Sequence, residues 1–124
     1  MEKLKSYREL EVWKVSMEFV TEIYQITSKF PSSELYGLSA QIRRCAVSIP
    51  SNIAEGAGRK NTREFIQFLY VSNGSLSELE TQLEIAFRLR YITDPEPCNN
   101  RIMHVRKMLV NLIRALNQKL NSTG

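Results

Sequence analysis

The most distinctive chemical feature of this 124-residue chain is a group of three bases that follows a glycine-containing segment. Arg59, Lys60 and Arg63 come directly after Gly56-Ala57-Gly58, where a helix is predicted to begin. The first turn of a helix presents unpaired N–H groups and a partial positive charge, so bases there disfavour the helix and favour a bound anion. The pattern predicts a phosphate-binding cluster, with a solvated basic loop as the alternative interpretation.

A second basic region lies towards the C-terminus. Residues 99–124 contain no acid, whereas residues 65–94 hold four acids against two bases. The formal net charge is only +4, so the distribution of charge, more than its total, favours a polyanionic partner. The further candidates for nucleic-acid binding in this region are Arg101, Arg106, Lys107 and Arg114.

Pro50 lies inside a predicted helix, where it removes the hydrogen bond to the carbonyl of Ala46. A kink or a brief break is expected between Ser48 and Ser51. We interpret the polar residues around it as a half-buried network that satisfies the freed carbonyl and pairs glutamate with arginine. The alternative is a small-ligand pocket near Asn52 and Glu55. The network comprises Arg43, Arg44, Asn52, Glu55, Glu78 and Glu80.

Residues suited to metal or covalent catalysis are sparse. The single histidine, His104, has no glutamate three residues before it, so the Glu-x-x-His pairs of di-metal bundles are missing. Neither Cys45 nor any serine has a plausible histidine and aspartate partner set. Gly56-Ala57-Gly58 does not fit a P-loop. We therefore expect no enzymatic activity, no cofactor and no metal.

Cys45 and Cys98 lack CxxC spacing and fit free thiols.

Apolar residues recur at alternating steps of three and four through four segments. This spacing predicts amphipathic helices over about residues 8–29, 33–56, 61–91 and 96–120. No segment alternates at period two for long enough to form a strand. Because the connections are short, the expected fold is all-α, an antiparallel up-down-up-down four-helix bundle that forms a single domain over residues 1–124.

Individual positions carry further expectations. Ser32 or Ser33 is expected to cap the second helix, and Asn61 with Glu64 the third. Gly74 lies within the third helix, where glycine costs about 1 kcal/mol relative to alanine, so another backbone is expected to approach it. The core-facing stripe of the first helix is assigned to Leu10, Trp13, Met17, Val20, Tyr24 and Thr27. A mixed stripe of the fourth helix, turned away from the core, is typical of subunit contacts or a solvated face: Met103, Lys107, Val110 and Arg114.

The chain has no apolar run near the roughly 20 residues that span a bilayer. Its N-terminal sequence, MEKLKSYREL, has no apolar stretch that could serve as a signal peptide. We therefore expect a cytoplasmic protein with no membrane partner.

Three motifs carry a family resemblance: LEVW at residues 10–13, YGLSAQIRRCAVSIPSNIAEG at residues 36–56 and GSLSELETQLEIA at residues 74–86. With them, nearly the whole chain resembles the four-helix bundle proteins encoded in intervening sequences of bacterial 23S ribosomal RNA genes. That family is similar to the accessory variability protein of diversity-generating retroelements. Cys45 is a small departure, since alanine would be ordinary at that position.

The resemblance implies a subunit that assembles into a ring-like homopentamer with a central pore and has no known catalytic activity. It also implies nucleic-acid binding by the basic surface of the assembly and, in the retroelement relatives, binding of a reverse transcriptase. The leading hypothesis is therefore a non-enzymatic oligomer that binds structured RNA or an RNA–DNA duplex through phosphates, with low sequence specificity. The alternative is a protein-interaction scaffold that docks a partner such as a reverse transcriptase or a ribosomal component.

Overall fold

The chain folds into four α-helices, and no strand occurs in residues 6–123, which are the residues that the computed structural model describes. The all-α class and the number of helices are confirmed. The helices are α1 (Glu11–Thr27), α2 (Leu38–Ala57), α3 (Thr62–Arg88) and α4 (Glu96–Thr123). Within the described residues, no helix combines the length and apolarity that crossing a membrane requires.

The first two helices begin later than predicted because a short 3-10 turn precedes each of them. Tyr7–Glu9 forms the first turn, with the Ser6 hydroxyl accepting the Arg8 N–H at 3.1 Å. Ser32–Glu34 forms the second. The predicted cap at Ser32 or Ser33 is wrong, since the Glu34 carboxylate accepts the Leu38 N–H at 3.1 Å instead. The same carboxylate accepts the Tyr91 hydroxyl at 3.0 Å, which raises the pKa of Tyr91.

One apolar core draws residues from all four helices. The spacing of apolar residues predicts core faces for α3 and α4, and these faces are largely confirmed, although Phe87 is 37% exposed and Ala86 is buried beside it. The predicted residues are Phe65, Leu69, Ser72, Leu76, Leu79, Leu83 and Phe87 in α3 and Ile102, Val105, Leu109, Leu112, Ile113, Leu116 and Leu120 in α4. The predicted face of α1 is largely wrong, because Met17 and Tyr24 are exposed and, of its six members, Thr27 alone is buried. Two apolar stripes run along α1, and their spacing alone does not distinguish which one faces inward. The buried stripe is Val12, Ser16, Phe19, Ile23 and Thr27.

Pro50 lies inside α2, and the helix continues through it without a break. Of the two predicted outcomes, the break is therefore excluded, while the kink stays a prediction. The nearby side chains do not serve the carbonyl of Ala46 as expected. Ser48 donates to the carbonyl of Cys45 at 2.6 Å, and the Asn52 amide donates to the carbonyl of Ser48 at 2.8 Å.

Two hydrogen bonds connect α2 to α3. The buried Ser72 hydroxyl donates to the carbonyl of Ile49 at 2.9 Å, and the Cys45 thiol donates to the carbonyl of Ser75 at 3.0 Å. Both cysteines are free and buried, as predicted. These polar contacts tie the middle of α2 to the middle of α3.

Close approach between the two helices occurs at Gly56 and not at Gly74. A Cβ atom built on Gly56 would lie 2.6 Å from the Cβ of Phe68 and 3.0 Å from a ring carbon of Phe65. A Cβ atom on Gly74 would meet nothing within 4 Å, and Gly74 is exposed. The expectation that another backbone approaches Gly74 is therefore wrong within this chain.

We predict opposite effects of alanine at the two glycines. Gly56→Ala should lower the free energy of unfolding by about 1–3 kcal/mol, because the added methyl group overpacks the contact with Phe68 and Phe65. Gly74→Ala should raise it by up to about 1 kcal/mol, because alanine is the better helix former at an open position. Urea unfolding at fixed protein concentration measures both changes. Destabilisation by Gly74→Ala would show that another copy of the chain packs against this position.

Candidate nucleic-acid interface

The start of α3 presents two unpaired bases next to a capped helix terminus. The Asn61 side chain accepts the Glu64 N–H at 2.9 Å, which confirms the predicted cap at Asn61. Lys60 and Arg63 are exposed on either side of Asn61, and neither forms an ion pair within residues 6–123. Both are therefore available to an external anion without first breaking an internal contact.

Arg59, the third base of this cluster, is engaged within the chain. Its guanidinium pairs with Glu55 at 2.9 Å, one turn earlier in the sequence, and lies 4.8 Å from the ring centroid of Phe68. Both side chains of the ion pair remain about half exposed, so the pair is weak in water. A phosphate that binds Arg59 must compete with Glu55.

Arg101 holds α4 against α1. Its Nε donates to both Glu22 carboxylate oxygens, at 2.9 and 3.2 Å, and a terminal nitrogen donates to one of them at 3.0 Å. The guanidinium also lies 3.4 Å from Glu18. The hydrogen bonds to Glu22 raise the pKa of Arg101. A bidentate pair of this kind is stronger than a single contact, so Arg101 stabilises the packing of α4 on α1 and is not available to a phosphate.

Arg106 holds α4 against α3. Its guanidinium lies 3.0 Å from the Glu80 carboxylate and donates to the Ser77 hydroxyl at 3.2 Å. By contrast, Lys107 and Arg114 are exposed and form no ion pair in the described part of the chain. They share their stripe with Met103 and Val110, which are 66% and 39% exposed. This stripe faces away from the core, as predicted.

The seven predicted binding residues therefore fall into two sets. Arg59, Arg101 and Arg106 are neutralised by carboxylates. The other four are exposed and unpaired within residues 6–123, and we call them the free quartet: Lys60, Arg63, Lys107 and Arg114.

The polar residues predicted to form one network separate into different contacts. The side chain of Arg43 contacts α1. Its Nε donates to the Thr27 hydroxyl at 2.7 Å, and its guanidinium lies 4.6 Å from the centroid of the Tyr24 ring. Glu55 pairs with Arg59 and Glu80 with Arg106. The remaining members, Arg44, Asn52 and Glu78, line an open groove between α2 and α3.

The predicted pairing of glutamate with arginine is confirmed, since Glu55 pairs with Arg59 and Glu80 with Arg106. Neither Arg43 nor Arg44 is a partner in these ion pairs. Arg43 is 16 residues from its partner Thr27 in sequence, so only the packing of α1 on α2 brings the two together. The predictions also missed Glu18 and Glu22. Their spacing of four residues on one face of α1 was the available signal, although nothing in it identified Arg101 as the partner.

The two thiols lie in environments that disfavour the thiolate. Burial, reinforced by the nearby Glu78 carboxylate, raises the pKa of Cys45 to about 11. Burial and Glu22 likewise raise the pKa of Cys98. Both cysteines are therefore neutral at pH 7 and poor nucleophiles. In residues 6–123, no group of three or more His, Cys, Asp or Glu side chains is placed to hold a metal ion.

Comparison with known proteins identifies a family and a similar crystal structure. The family model described as 23S rRNA-intervening sequence protein matches residues 8–111. A crystal structure of a protein of unknown function from the S23 ribosomal protein family of Bacteroides thetaiotaomicron superimposes with a TM-score of 0.77 at 29% sequence identity. The alignment covers 83% of this chain and 95% of that one. No curated protein sequence matches this chain.

We predict that Arg101→Gln lowers the free energy of unfolding by about 1 kcal/mol, because it leaves Glu22 and Glu18 without their cation. The matched change Lys107→Gln removes the same charge from the same helix at an unpaired position. It should alter stability by less than about 0.5 kcal/mol. Urea unfolding of the two variants measures the difference, and equal effects would contradict the assignment of Arg101 to the fold.

Proposed function

The chain belongs to the family of 23S rRNA-intervening sequence proteins, and we propose that it is a non-enzymatic, oligomeric protein that binds structured RNA or an RNA–DNA duplex. Binding uses phosphate contacts and has low sequence specificity. The observation that carries the proposal is the free quartet, because its four bases contact phosphates without giving up an internal ion pair. No cofactor and no catalytic step are part of the proposal, and the site of action is the cytoplasm.

Low sequence specificity follows from the residues that surround the free quartet. Reading unpaired bases requires aromatic side chains interleaved with donors and acceptors. The neighbours of Lys107 and Arg114 on their stripe are the aliphatic Met103 and Val110. Point charges of this kind contact the backbone, which fixes position on a nucleic acid without reading its sequence.

We propose that the subunit is an antiparallel up-down-up-down bundle and that five copies form a ring. The order of contacts supports the antiparallel arrangement: Cys45 contacts Ser75, whereas Gly56, further along α2, approaches Phe65 near the start of α3. Exposed Met103 and Val110 support a subunit contact, beyond which the long side chains of Lys107 and Arg114 extend to the surface of the assembly. A pentamer multiplies the formal charge of +4 fivefold. It thereby strengthens phosphate binding, because contacts from several subunits act together.

A protein-interaction scaffold is the second candidate. The turn before α2 supports it, because Tyr36 is 94% exposed and Leu35 is 50% exposed. A large aromatic side chain that projects into solvent beside an exposed leucine is a typical anchor for a protein partner. The partner would be a reverse transcriptase or a ribosomal component. Retention of a partner at high salt and after nuclease treatment would favour this candidate.

We predict that charge reversal in the free quartet weakens nucleic-acid binding and flattens its salt dependence. The variants are Lys60→Glu with Arg63→Glu, and Lys107→Glu with Arg114→Glu. Each lost phosphate contact should reduce the slope of log Kobs against log salt by about 0.7–0.9. Fluorescence anisotropy with a labelled RNA hairpin and an RNA–DNA duplex, measured at several salt concentrations, gives the slopes.

The control reverses Lys29 and Arg90, which are also exposed and unpaired within residues 6–123 but are not among the predicted binding residues. It changes the net charge by the same amount. If the control flattens the slope as much as either test variant, the interaction is a response to overall charge and the assigned interface is wrong. Absence of measurable binding by the unmodified protein at low salt would contradict the proposed function itself.

We predict that Met103→Glu with Val110→Glu dissociates the assembly, because the two carboxylates place charge in an apolar contact. Size-exclusion chromatography with light scattering should give about five times the 14.3 kDa subunit mass for the unmodified chain and a single subunit mass for the variant. The control, Asn100→Glu with Asn117→Glu, adds the same charge at exposed polar positions of α4 and should keep the mass. A monomeric unmodified chain would contradict the pentamer.

A further inference from the structure

A polar groove between α2 and α3 has no role in the function proposed above. Its volume is about 540 Å³, and it is open to solvent. That volume falls within the range of small-molecule sites, which is about 300–1,000 Å³. The polar side chains that line it include Arg44, Ser48 and Asn52 from α2 and Ser75, Glu78 and Gln82 from α3.

Gln82 is the residue that points to a ligand. Its side chain lines the groove, the residue is only 9% exposed, and its buried Oε1 atom has no hydrogen-bond partner. A buried carbonyl oxygen without a donor destabilises a fold, and most such atoms in proteins are paired. Leucine or methionine at this position would avoid the cost. Because Gln82 lines the groove while its Oε1 atom is covered, a glutamine is explained if the amide turns towards the groove when a ligand supplies the missing N–H.

The charges on the two walls of the groove differ in sign. Glu78 lies one turn before Gln82 on α3, so a carboxylate and an amide oxygen lie close together on that wall. Glu78 forms no ion pair within residues 6–123, and neither does Arg44 on the wall formed by α2. The α3 wall therefore favours a cationic N–H donor, and the α2 wall favours an anion.

The remaining groups of the α2 wall add acceptors to the groove. The Ser48 hydroxyl already donates to the carbonyl of Cys45, and the Asn52 amide already donates to the carbonyl of Ser48. The hydroxyl oxygen of Ser48 and the carbonyl oxygen of Asn52 are left to accept from a ligand, and the Asn52 amide keeps a second N–H. The groove therefore offers acceptors on both walls beside a few neutral donors, and Glu78 opposes any ligand with a purely negative charge, including a phosphate backbone.

We propose that this groove binds a small zwitterion, with a protonated amine or guanidinium against Glu78 and Gln82 and a carboxylate against Arg44. The two charges of the ligand must be several bonds apart, because the axes of packed helices lie about 8–10 Å apart and Arg44 and Glu78 do not pair directly. A basic amino acid such as arginine has this form. Guanidinium also presents several N–H donors in one plane, which suits neighbouring carboxylate and amide oxygens.

The test is a titration of the full chain with L-arginine, followed by saturation-transfer NMR of the ligand at constant ionic strength. Agmatine, which lacks the carboxylate, and L-citrulline, whose side chain is uncharged, serve as matched probes. L-arginine should give a saturable signal, and both other probes should bind at least about 10-fold more weakly, the loss expected for one charged hydrogen bond. Equal binding of all three, or no saturable signal, would overturn the proposal.

Variants of the groove test which residues bind the cationic end of the ligand and which bind its carboxylate. Glu78→Gln and Gln82→Met should each weaken L-arginine at least about 10-fold. Arg44→Gln should weaken L-arginine but leave agmatine unchanged. Lys29→Gln and Glu96→Gln remove the same charges elsewhere on the surface and should have no effect.

Unchanged L-arginine binding in the groove variants would overturn the assignment. If Gln82→Met fails to fold by circular dichroism, Glu78→Gln and Arg44→Gln decide, because both positions are exposed. Lys60→Glu with Arg63→Glu should leave L-arginine binding intact. The outcome for this groove therefore does not depend on whether the chain binds nucleic acid.

Discussion

The close contact between α2 and α3 is the constraint on which the rest of the structure depends. Gly56 lets the two helices approach at a distance that no larger residue permits, since a Cβ atom there would lie 2.6 Å from that of Phe68. The Ser72 hydroxyl and the Cys45 thiol fix the same pair further along. The α2 helix that makes this contact remains helical through Pro50. It also sets where the short connection ends and where Lys60 and Arg63 emerge.

Ion pairing then determines which bases are available to a partner. Carboxylates of α1 and α3 take up Arg101 and Arg106, so α4 is held by charge on both sides of its apolar face. Lys107 and Arg114 lie on the stripe opposite that face, where no carboxylate approaches them in the described part of the chain. A count of basic residues therefore overstates the positive charge that is available to a nucleic acid. The free quartet is the better measure of that charge.

Periodicity in the sequence predicts the helices of this chain well and their contacts poorly. The faces of α3 and α4 each carry one apolar stripe, so Leu69, Leu76 and Leu109 are correctly placed in the core. α1 carries two stripes, and the choice between them depends on neighbours that periodicity does not describe. For the same reason, the sequence does not identify the partners of Arg101 and Arg43, which lie 79 and 16 residues away. The two glycines also look alike in sequence, and only the packing of Phe68 distinguishes them.

The division of bases on α4 has an evolutionary consequence. Arg101 and Arg106 are tied to other helices, so selection for folding acts on them together with Glu22 and Glu80. Lys107 and Arg114 carry no such obligation within the subunit, and substitutions there alter the surface without altering the core. One helix therefore contains positions constrained by the fold and positions constrained only by what the surface binds. Substitutions on the outer stripe alter the binding surface while the opposite face, and with it the fold, stays the same.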